Sequence, residues 1–163
     1  MKRVIVYTSN TGHTKMYADM LGEKLNLDVY DLKEAKGKVN KDTEVIYLGW
    51  VSASMIKGLK KAMKSFNVIL VGAVGMMEKS NDYTKFMDIN KIDLPFFYLR
   101  GGVNYDKLKG LKKTLLQMVG RAFEKNCKPE EKETLELFKN GGSFVSEKNL
   151  EEMIDFINKK NTL

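Results

Sequence analysis

The sequence predicts a single α/β domain over residues 1–163, in which helices cover both faces of a parallel sheet. Short β-branched runs alternate along the chain with longer segments whose apolar residues have helical spacing, which is the pattern of strands joined by crossover helices. The clearest run, residues 2–8, is continuously apolar in its centre, as a strand buried on both faces requires. At 163 residues and 43% hydrophobic content, the chain is long enough to bury one core.

Five runs predict the strands, and four segments predict the helices that cover them. The strands are expected at residues 2–8, 27–32, 44–49, 67–73 and 95–100. The first two helices are expected to bury Met16, Met20, Leu21 and Leu25, and then Ile56, Leu59, Met63 and Phe66. The last two, over residues 81–89 and 150–158, are expected to bury Tyr83, Phe86 and Met87, and then Leu150, Met153, Ile154 and Ile157. Ser146 is a candidate cap for the last helix.

The segment at residues 101–128 exceeds this five-strand repeat, and the sequence predicts a basic helical insertion there. Its apolar residues share one helical stripe, made of Leu108, Leu111, Leu115, Met118, Val119 and Ala122. Lysines make the rest of the segment basic. We expect the stripe to pack on the rest of the domain.

Charge and cysteine content narrow the function classes. The net charge is +7, but the excess is local, because residues 100–128 hold eight basic residues against Asp106 and Glu124. No aromatic residues interleave with these lysines in the manner of single-strand binders, so we expect no nucleic-acid partner. A lone Cys127 and a lone His13 exclude a disulfide, a CxxC pair and a cysteine-rich metal site. Any redox chemistry therefore requires a bound organic cofactor.

We expect a cytoplasmic protein. The longest apolar runs are far shorter than the roughly 20 residues that a membrane-spanning helix needs. The amino terminus also lacks the hydrophobic region of a signal peptide.

The strongest local signal lies where the first strand ends and the first helix begins. Its residues are Thr8, Ser9, Asn10, Thr11, Gly12, His13 and Thr14. A helix start offers unpaired N–H groups and the positive end of the helix dipole, so a phosphate dianion can bind there without a cationic side chain. Short hydroxyl and amide side chains can supply the remaining hydrogen bonds. The alternative is an ordinary capped turn, which its place at the carboxyl edge of an α/β sheet disfavours.

Other phosphate-binding and α/β families lack a required group here. A Walker A loop needs Gly-Lys-Ser/Thr where this loop has Gly12-His13-Thr14, and a dinucleotide fingerprint needs three glycines where this loop has one. A receiver domain needs clustered acids at strand ends, but the first strand ends in Thr8 and the third in Gly49. A cysteine phosphatase needs a cysteine in the first loop.

The element Ser-x-Thr-Gly-x-Thr at Ser9 to Thr14 resembles the phosphate loop of flavodoxins. The resemblance implies a flavodoxin-like three-layer α/β/α sandwich with a five-stranded parallel sheet in the order 2-1-3-4-5. It also implies non-covalent FMN, with its phosphate in this loop. The loops after the third and fourth strands would form the two walls of the isoalloxazine site, at Trp50, Val51, Ser52, Ala53 and Ser54, and at Gly75, Met76 and Met77.

The wider chain is more similar to the branch that contains menaquinone-dependent protoporphyrinogen oxidases. The similarity is carried by the run from Tyr98 to Tyr105 with the basic segment after it, and by Gly49 to Ser54. It leaves two functions open, a flavodoxin-type electron carrier and a flavin oxidoreductase that passes electrons to a quinone. A binding module without flavin is a third. The oxidase resemblance also implies that the basic helix contacts anionic lipid.

Several residues depart from the flavodoxin pattern. Flavodoxins usually keep a glycine in the loop after the third strand, whereas residues 50–57 contain none. Flavodoxins are also typically acidic, whereas the sequence pI here is 9.3. An acidic redox partner or an anionic membrane surface suits this charge better. Trp50 has two open roles, stacking on the flavin or packing beneath the loop, and Met76 and Met77 either line the flavin or fill the core. We interpret His13 as a surface residue of the phosphate loop rather than a catalytic base, and no catalytic residue is predicted.

Overall fold

The computed structural model describes residues 2–161 of the chain. The strands are β1 (Arg3–Thr8), β2 (Val29–Asp31), β3 (Glu44–Ser52), β4 (Met55–Ile56), β5 (Asn67–Gly75), β6 (Phe96–Arg100), β7 (Gly102–Val103) and β8 (Gly142–Ser143). The α-helices are α1 (His13–Leu25), α2 (Leu32–Lys38), α3 (Leu59–Ser65), α4 (Thr84–Asn90), α5 (Leu111–Glu124), α6 (Lys132–Asn140) and α7 (Glu151–Asn161).

The central sheet confirms the predicted fold class and strand order. Five parallel strands pair in the order β2-β1-β3-β5-β6, and the short β4 pairs antiparallel with the end of β3. Since β5 and β6 are the fourth and fifth parallel strands, this is the predicted 2-1-3-4-5 order. The register of β1 on β3 sets Thr8 beside Gly49, and that of β3 on β5 sets Trp50 beside Val74. The carboxyl ends of these three strands therefore share one edge.

Helices cover both faces of the sheet, because alternate side chains of each strand point to opposite faces. Val4 and Val6 pack with Leu32, Leu59 and other residues of α2 to α4 on one face. On the opposite face, Ile5 packs with residues of α1 and α7, including Tyr17, Leu21, Met153 and Ile157. The result is a three-layer sandwich.

Several predicted element boundaries were wrong. Residue 32 begins α2 rather than ending a strand, because Asp31 caps a helix there and its carboxylate accepts from the Lys33 N–H at 2.8 Å. Ile56 belongs to β4, so the second of the predicted helices, which is α3 in the structure, starts only at Leu59. The last helix begins at Glu151, after a short 3₁₀ turn, and the Ser146 side chain makes no capping hydrogen bond.

Two of the predicted apolar faces also differ in detail. In α1 the buried residues include Tyr17, Ala18 and Leu21, whereas Met16 is about half exposed. Met63 is exposed as well, although Ile56, Leu59 and Phe66 are buried as predicted. A methionine at a position of the apolar spacing need not be buried, since its flexible side chain tolerates partial exposure.

A helical hairpin, which we define as residues 104–141, is inserted between β7 and β8. These two strands pair antiparallel, Gly102 with Ser143 and Val103 with Gly142, and close the hairpin at its base. Its helices α5 and α6 contact each other, with Gly120 packed against the Phe138 ring. A small core of Val103, Leu108 and Leu137, with Met76, Leu116 and Phe144 around it, joins it to the sheet. The hairpin therefore continues past residue 128, through α6.

Candidate functional site

The candidate site is a cavity of about 690 Å³ at the carboxyl edge of the sheet, above β1, β3 and β5. This volume falls within the range of roughly 300–1,000 Å³ that is usual for small-molecule sites. Open α/β sheets bind ligands at this edge, where the strand order reverses. Here the reversal lies between β1 and β3, since β2 is on one side of β1 and all later strands of the sheet are on the other.

The first wall of the cavity is the turn before α1. Gly12 holds a positive φ of 108° and gives no side-chain cap to the helix. The first bond of α1 runs from the Met16 N–H to the Gly12 carbonyl, so the N–H groups of His13, Thr14 and Lys15 precede the helical ladder and have no acceptor within it. These amides and the dipole together favour an anion at this point.

The side chains of this turn are partly engaged with the protein itself. The Gly12 N–H donates to Ser9 Oγ at 3.1 Å, and Thr11 Oγ1 lies 3.1 Å from His13 Nδ1. Thr14 differs from both. It is 1% exposed and lines the cavity, and its hydroxyl has no hydrogen-bond partner among residues 2–161. Its hydroxyl is available to a ligand in the cavity, so Thr14 is the clearest unfilled hydrogen-bonding position in the turn.

His13 is buried rather than on the surface, which corrects the interpretation from sequence. Its side chain is 9% exposed and lines the cavity. β7 passes close to this ring: a Cβ on Gly102 would stand 2.8 Å from His13 Nε2 and 2.2 Å from the Gly142 carbonyl oxygen, so glycine is required there. Burial lowers the pKa of His13 below its ordinary value of 6.5, and the Lys107 charge lowers it further. His13 is therefore neutral at physiological pH.

The second wall is the hairpin formed by β3 and β4. Trp50, Val51 and Ser52 continue β3 rather than forming a loop, because Val51 pairs with Ile56 and Ser52 with Met55. Both residues of the connecting turn, Ala53 and Ser54, adopt positive φ values of 49° and 60°. Such values at both central positions are those of a type I′ hairpin turn, which usually favours glycine or asparagine.

Asn90 of α4 fastens this hairpin turn to the rest of the molecule. Its amide donates to the Ser54 carbonyl at 2.8 Å, and its Oδ1 accepts from the Ile56 N–H at 2.8 Å. The amide also donates to the Phe86 carbonyl in its own helix. The position of the second wall therefore depends on the side-chain amide of Asn90.

The third wall comes from the end of β5. Val74, Gly75 and Met76 line the cavity. Gly75 is needed because a Cβ there would stand 2.2 Å from the Tyr98 hydroxyl, which accepts a hydrogen bond from the Met77 N–H at 3.1 Å. Burial raises the pKa of Tyr98, so it remains a neutral hydroxyl that supports the end of β5.

The helical hairpin supplies the fourth wall. Its apolar lining residues are Val103, Leu108, Leu115, Leu116 and Val119. The stripe on α5 was expected to pack on the domain, and this was wrong: Leu111 is 88% exposed and Leu115 is 63% exposed. Of the helical residues in the stripe, Leu115 and Val119 face the cavity, whereas Leu111 and Met118 do not line it.

Lysine side chains also reach this cavity. Lys57 and Lys112 line it, and Lys112 Nζ donates to Asn10 Oδ1 at 3.3 Å. Lys107 Nζ lies 3.3 Å from the point at which a Cβ on Gly12 would stand. Two residues of the helical hairpin thus approach the turn before α1.

Most of the residues predicted from sequence line this one cavity. They are Ser9, Asn10, Thr11, His13, Thr14, Trp50, Val51, Ser52, Ala53, Gly75 and Met76. Four others do not line it. Thr8 Oγ1 is hydrogen-bonded to the Tyr47 hydroxyl at 2.8 Å, Gly12 shapes the turn, Ser54 lies at the far end of the hairpin turn, and Met77 is exposed.

The sequence interpretation missed the wall from the helical hairpin and the lysines. The signal for the wall was present, because the α5 stripe has helical spacing. Periodicity identifies an apolar face but not what covers it, so a packed helix and a cavity wall look alike in sequence. Lys107 and Lys112 carried no local signal, since they belong to a generally basic segment.

The chain matches no protein-family model, no curated protein and no solved structure. Among residues 2–161, none of the helices combines the length and the hydrophobicity that a membrane-spanning segment requires.

Proposed function

We propose that the protein binds one FMN without a covalent bond in this cavity and acts as an electron carrier of the flavodoxin type. The observation that carries the proposal is the grouping of three walls at one edge of the sheet. The turn at residues 9–14 can hold an anion, and the walls at residues 50–53 and 74–76 can hold a flat apolar ring between them.

The chain's own residues fit the two ends of this cofactor. The cavity-lining Thr14 hydroxyl and the free amides of His13 and Thr14 suit a phosphate, which accepts several hydrogen bonds. Trp50 and Met76 offer aromatic and polarizable surface on opposite walls. When bound, the flavin supplies the electron transfer, while the protein sets its orientation and electrostatic surroundings.

FMN titration of the flavin-free protein tests this proposal. Flavin fluorescence should saturate with one FMN per chain in the wild type. Thr11→Glu, which adds a negative charge beside the anion site, should raise the Kd for FMN by roughly tenfold or more because like charges repel. Thr84→Glu adds the same charge at an exposed position of α4 outside the cavity, and it should bind FMN like the wild type. Equal losses in both variants would contradict the assignment of the phosphate to this turn.

A second candidate is a flavin oxidoreductase that passes electrons from an organic substrate to a quinone. The apolar wall on α5 favours it, because Leu115, Leu116 and Val119 add apolar lining to the cavity beyond the three walls assigned to FMN. A small apolar molecule could lie there beside the flavin ring. Turnover of protoporphyrinogen with menadione as acceptor supports the oxidoreductase, whereas FMN binding without turnover supports the carrier.

The proposed partner is an acidic redox protein or an anionic membrane surface, and we propose that the protein works in the cytoplasm. The basic, solvent-exposed face of α5 suits such partners by charge. Binding to vesicles with and without anionic lipid, at low and high salt, separates the membrane from the protein partner.

A further inference from the structure

We propose that Lys107 and Lys112 of the helical hairpin bind the phosphate group of the ligand, opposite the turn at residues 9–14. This inference rests on the proposed function for the identity of the ligand, and it assigns charged residues that the loop sequence does not contain. The site would then be composed of two separate parts of the chain, an uncharged half before α1 and a cationic half about a hundred residues later.

The two lysines converge on the same turn from adjacent parts of the hairpin. Lys107 Nζ lies 3.3 Å from the Cβ position of Gly12, and Lys112 Nζ lies 3.3 Å from Asn10 Oδ1. The lowered pKa of His13, to which Lys107 contributes, agrees with a cation close to this turn. A group bound between the turn and the hairpin would be within reach of both ammonium groups.

Neither lysine has a carboxylate partner in the part of the chain that the structure describes. Lys107 and Lys112 form no ion pair among residues 2–161, whereas Lys15, Lys24 and Lys139 each pair with an acidic side chain at 2.6 to 2.7 Å. Both ammonium groups lie near the turn at the positive end of the α1 dipole, where they add to its attraction for an anion.

The turn at residues 9–14 also contains a hydroxyl group that lacks a hydrogen-bond partner. The Thr14 side chain is 1% exposed and lines the cavity, and its hydroxyl has no partner among the described residues. It lies two residues from Gly12, which Lys107 approaches. A phosphate is a ligand that accepts from a hydroxyl, from backbone amides and from ammonium groups at once.

This arrangement also connects ligand binding to the helical hairpin. Lys112 and the cavity-facing Leu115 are in the same helix, one turn apart. A phosphate held by Lys112 would therefore keep the apolar wall of α5 over the rest of the ligand. The ligand would in this way join the hairpin to the first strand and helix of the sheet.

The test compares Lys107→Gln and Lys112→Gln with the matched control Lys113→Gln. All three side chains are exposed, so each variant should fold, and Lys113 Nζ lies over the Tyr105 ring rather than at the turn. For each protein, the Kd is measured for FMN, for riboflavin, which lacks the phosphate, and for inorganic phosphate. Lys112→Arg, which keeps the charge, is included as the conservative variant.

We expect Lys107→Gln and Lys112→Gln each to raise the Kd for FMN roughly three- to tenfold, because each removes one solvent-exposed attraction between an ammonium group and the phosphate dianion. The Kd for riboflavin should stay unchanged, inorganic phosphate should bind more weakly, and Lys112→Arg and Lys113→Gln should bind FMN like the wild type. FMN binding that is lost no more in these two variants than in Lys113→Gln overturns the inference alone. Equal losses for FMN and riboflavin also overturn it.

A wild type that binds phosphate but no flavin would overturn the proposed function and leave the anion site to be decided by the phosphate arm. In that arm, weaker phosphate binding by the two glutamine variants supports the inference, and unchanged binding overturns it. A wild type that binds neither phosphate nor flavin overturns both proposals.

Discussion

The buried hydroxyl of Tyr17 ties α1 to the far end of the chain. The side chain is fully buried, and its hydroxyl donates to the Arg100 carbonyl while accepting from Asn149 Nδ2 at 2.7 Å. The ring alone would fill the same space, so the hydroxyl contributes hydrogen bonds rather than volume. Its loss would leave a carbonyl and an amide in the interior with fewer partners.

Tyr17→Phe should therefore lower the free energy of unfolding by roughly 1–3 kcal/mol, the cost of unpaired buried polar groups. Urea denaturation measures it. Tyr30→Phe is the matched control, because the Tyr30 hydroxyl makes only an exposed 3.4 Å contact with Asp28; it should change stability by less than about 0.5 kcal/mol. Equal effects in the two variants would contradict the role assigned to the Tyr17 hydroxyl.

His13 should titrate below pH 6.5, first because of its burial and second because of the Lys107 charge. The folded pKa is depressed, so below pH 6.5 the unfolded chain binds a proton that the folded chain resists. The free energy of unfolding from this group thus falls as the pH drops from 6.5 towards the folded pKa, and levels off beneath it. His13 is the only histidine, so NMR of its ring protons gives the pKa directly.

Two lysine variants sharpen this measurement. Lys107→Gln should raise the His13 pKa towards 6.5, since it removes the second cause of the shift, whereas Lys113→Gln should leave it unchanged. A His13 pKa at or above 6.5 in the wild type would contradict the buried position of this ring.

Among the elements, the β3–β4 hairpin depends on α4 for its position. Asn90→Ala removes the side-chain bonds to Ser54, Ile56 and Phe86. We expect a loss of roughly 1–2 kcal/mol in the free energy of unfolding, together with faster hydrogen exchange at the Ile56 amide. Asn81→Ala, at an exposed position before α4, is the control. If Ile56 exchanges at the wild-type rate in Asn90→Ala, another contact must hold the hairpin.

Helix α5 shows which part of an apolar stripe belongs to a site. Leu115 lines the cavity and Leu111 does not, yet both are mostly exposed. Leu115→Ser should raise the Kd for the proposed FMN or for an apolar substrate by roughly three- to tenfold, because it removes apolar surface that a ligand would cover. Leu111→Ser should leave the Kd unchanged, and neither should change the thermal midpoint by more than about 2 °C. Equal effects on ligand affinity would mean that α5 is not a cavity wall.

The elements also show where sequence reasoning works. The central strands β1, β3 and β5 were predictable, because a strand buried on both faces leaves a continuous apolar run. The two-residue strands β4, β7 and β8 were not, since two residues carry no periodicity. Helix α2 had a usable signal in Asp31 followed three residues later by Glu34, a pattern typical of a helix start. It follows β2 without a break, so residue 32 was assigned to the end of the predicted strand and no helix was predicted for the residues after it.

At the scale of the whole molecule, the cavity lies between the sheet and the helical hairpin. The sequence predicts the sheet, but it does not predict where the hairpin lies relative to the sheet. The walls from β1, β3 and β5 follow from topology, because the carboxyl ends of parallel strands meet at one edge. The hairpin wall follows from contacts between residues far apart in sequence, such as Lys112 with Asn10 and Gly120 with Phe138. Local patterns do not encode such contacts.

The structure shows which of the basic residues approach the cavity. The excess of basic residues in residues 100–128 includes Lys107 and Lys112, which approach the cavity, and Lys113, which does not line it. The basic residues behind the net charge of +7 thus fall into two groups. We assign one group to the ligand, and the other remains available to a partner. Salt should weaken binding of both, because exposed charges are screened over about 8 Å at physiological ionic strength.

The flavin content of the protein after saturation with FMN and removal of unbound ligand tests the central claim most directly. The absorbance spectrum of the desalted protein should show one FMN per chain, and Thr11→Glu treated in the same way should lose most of it. A wild-type protein that emerges without flavin absorbance, although correctly folded by circular dichroism, would contradict the account.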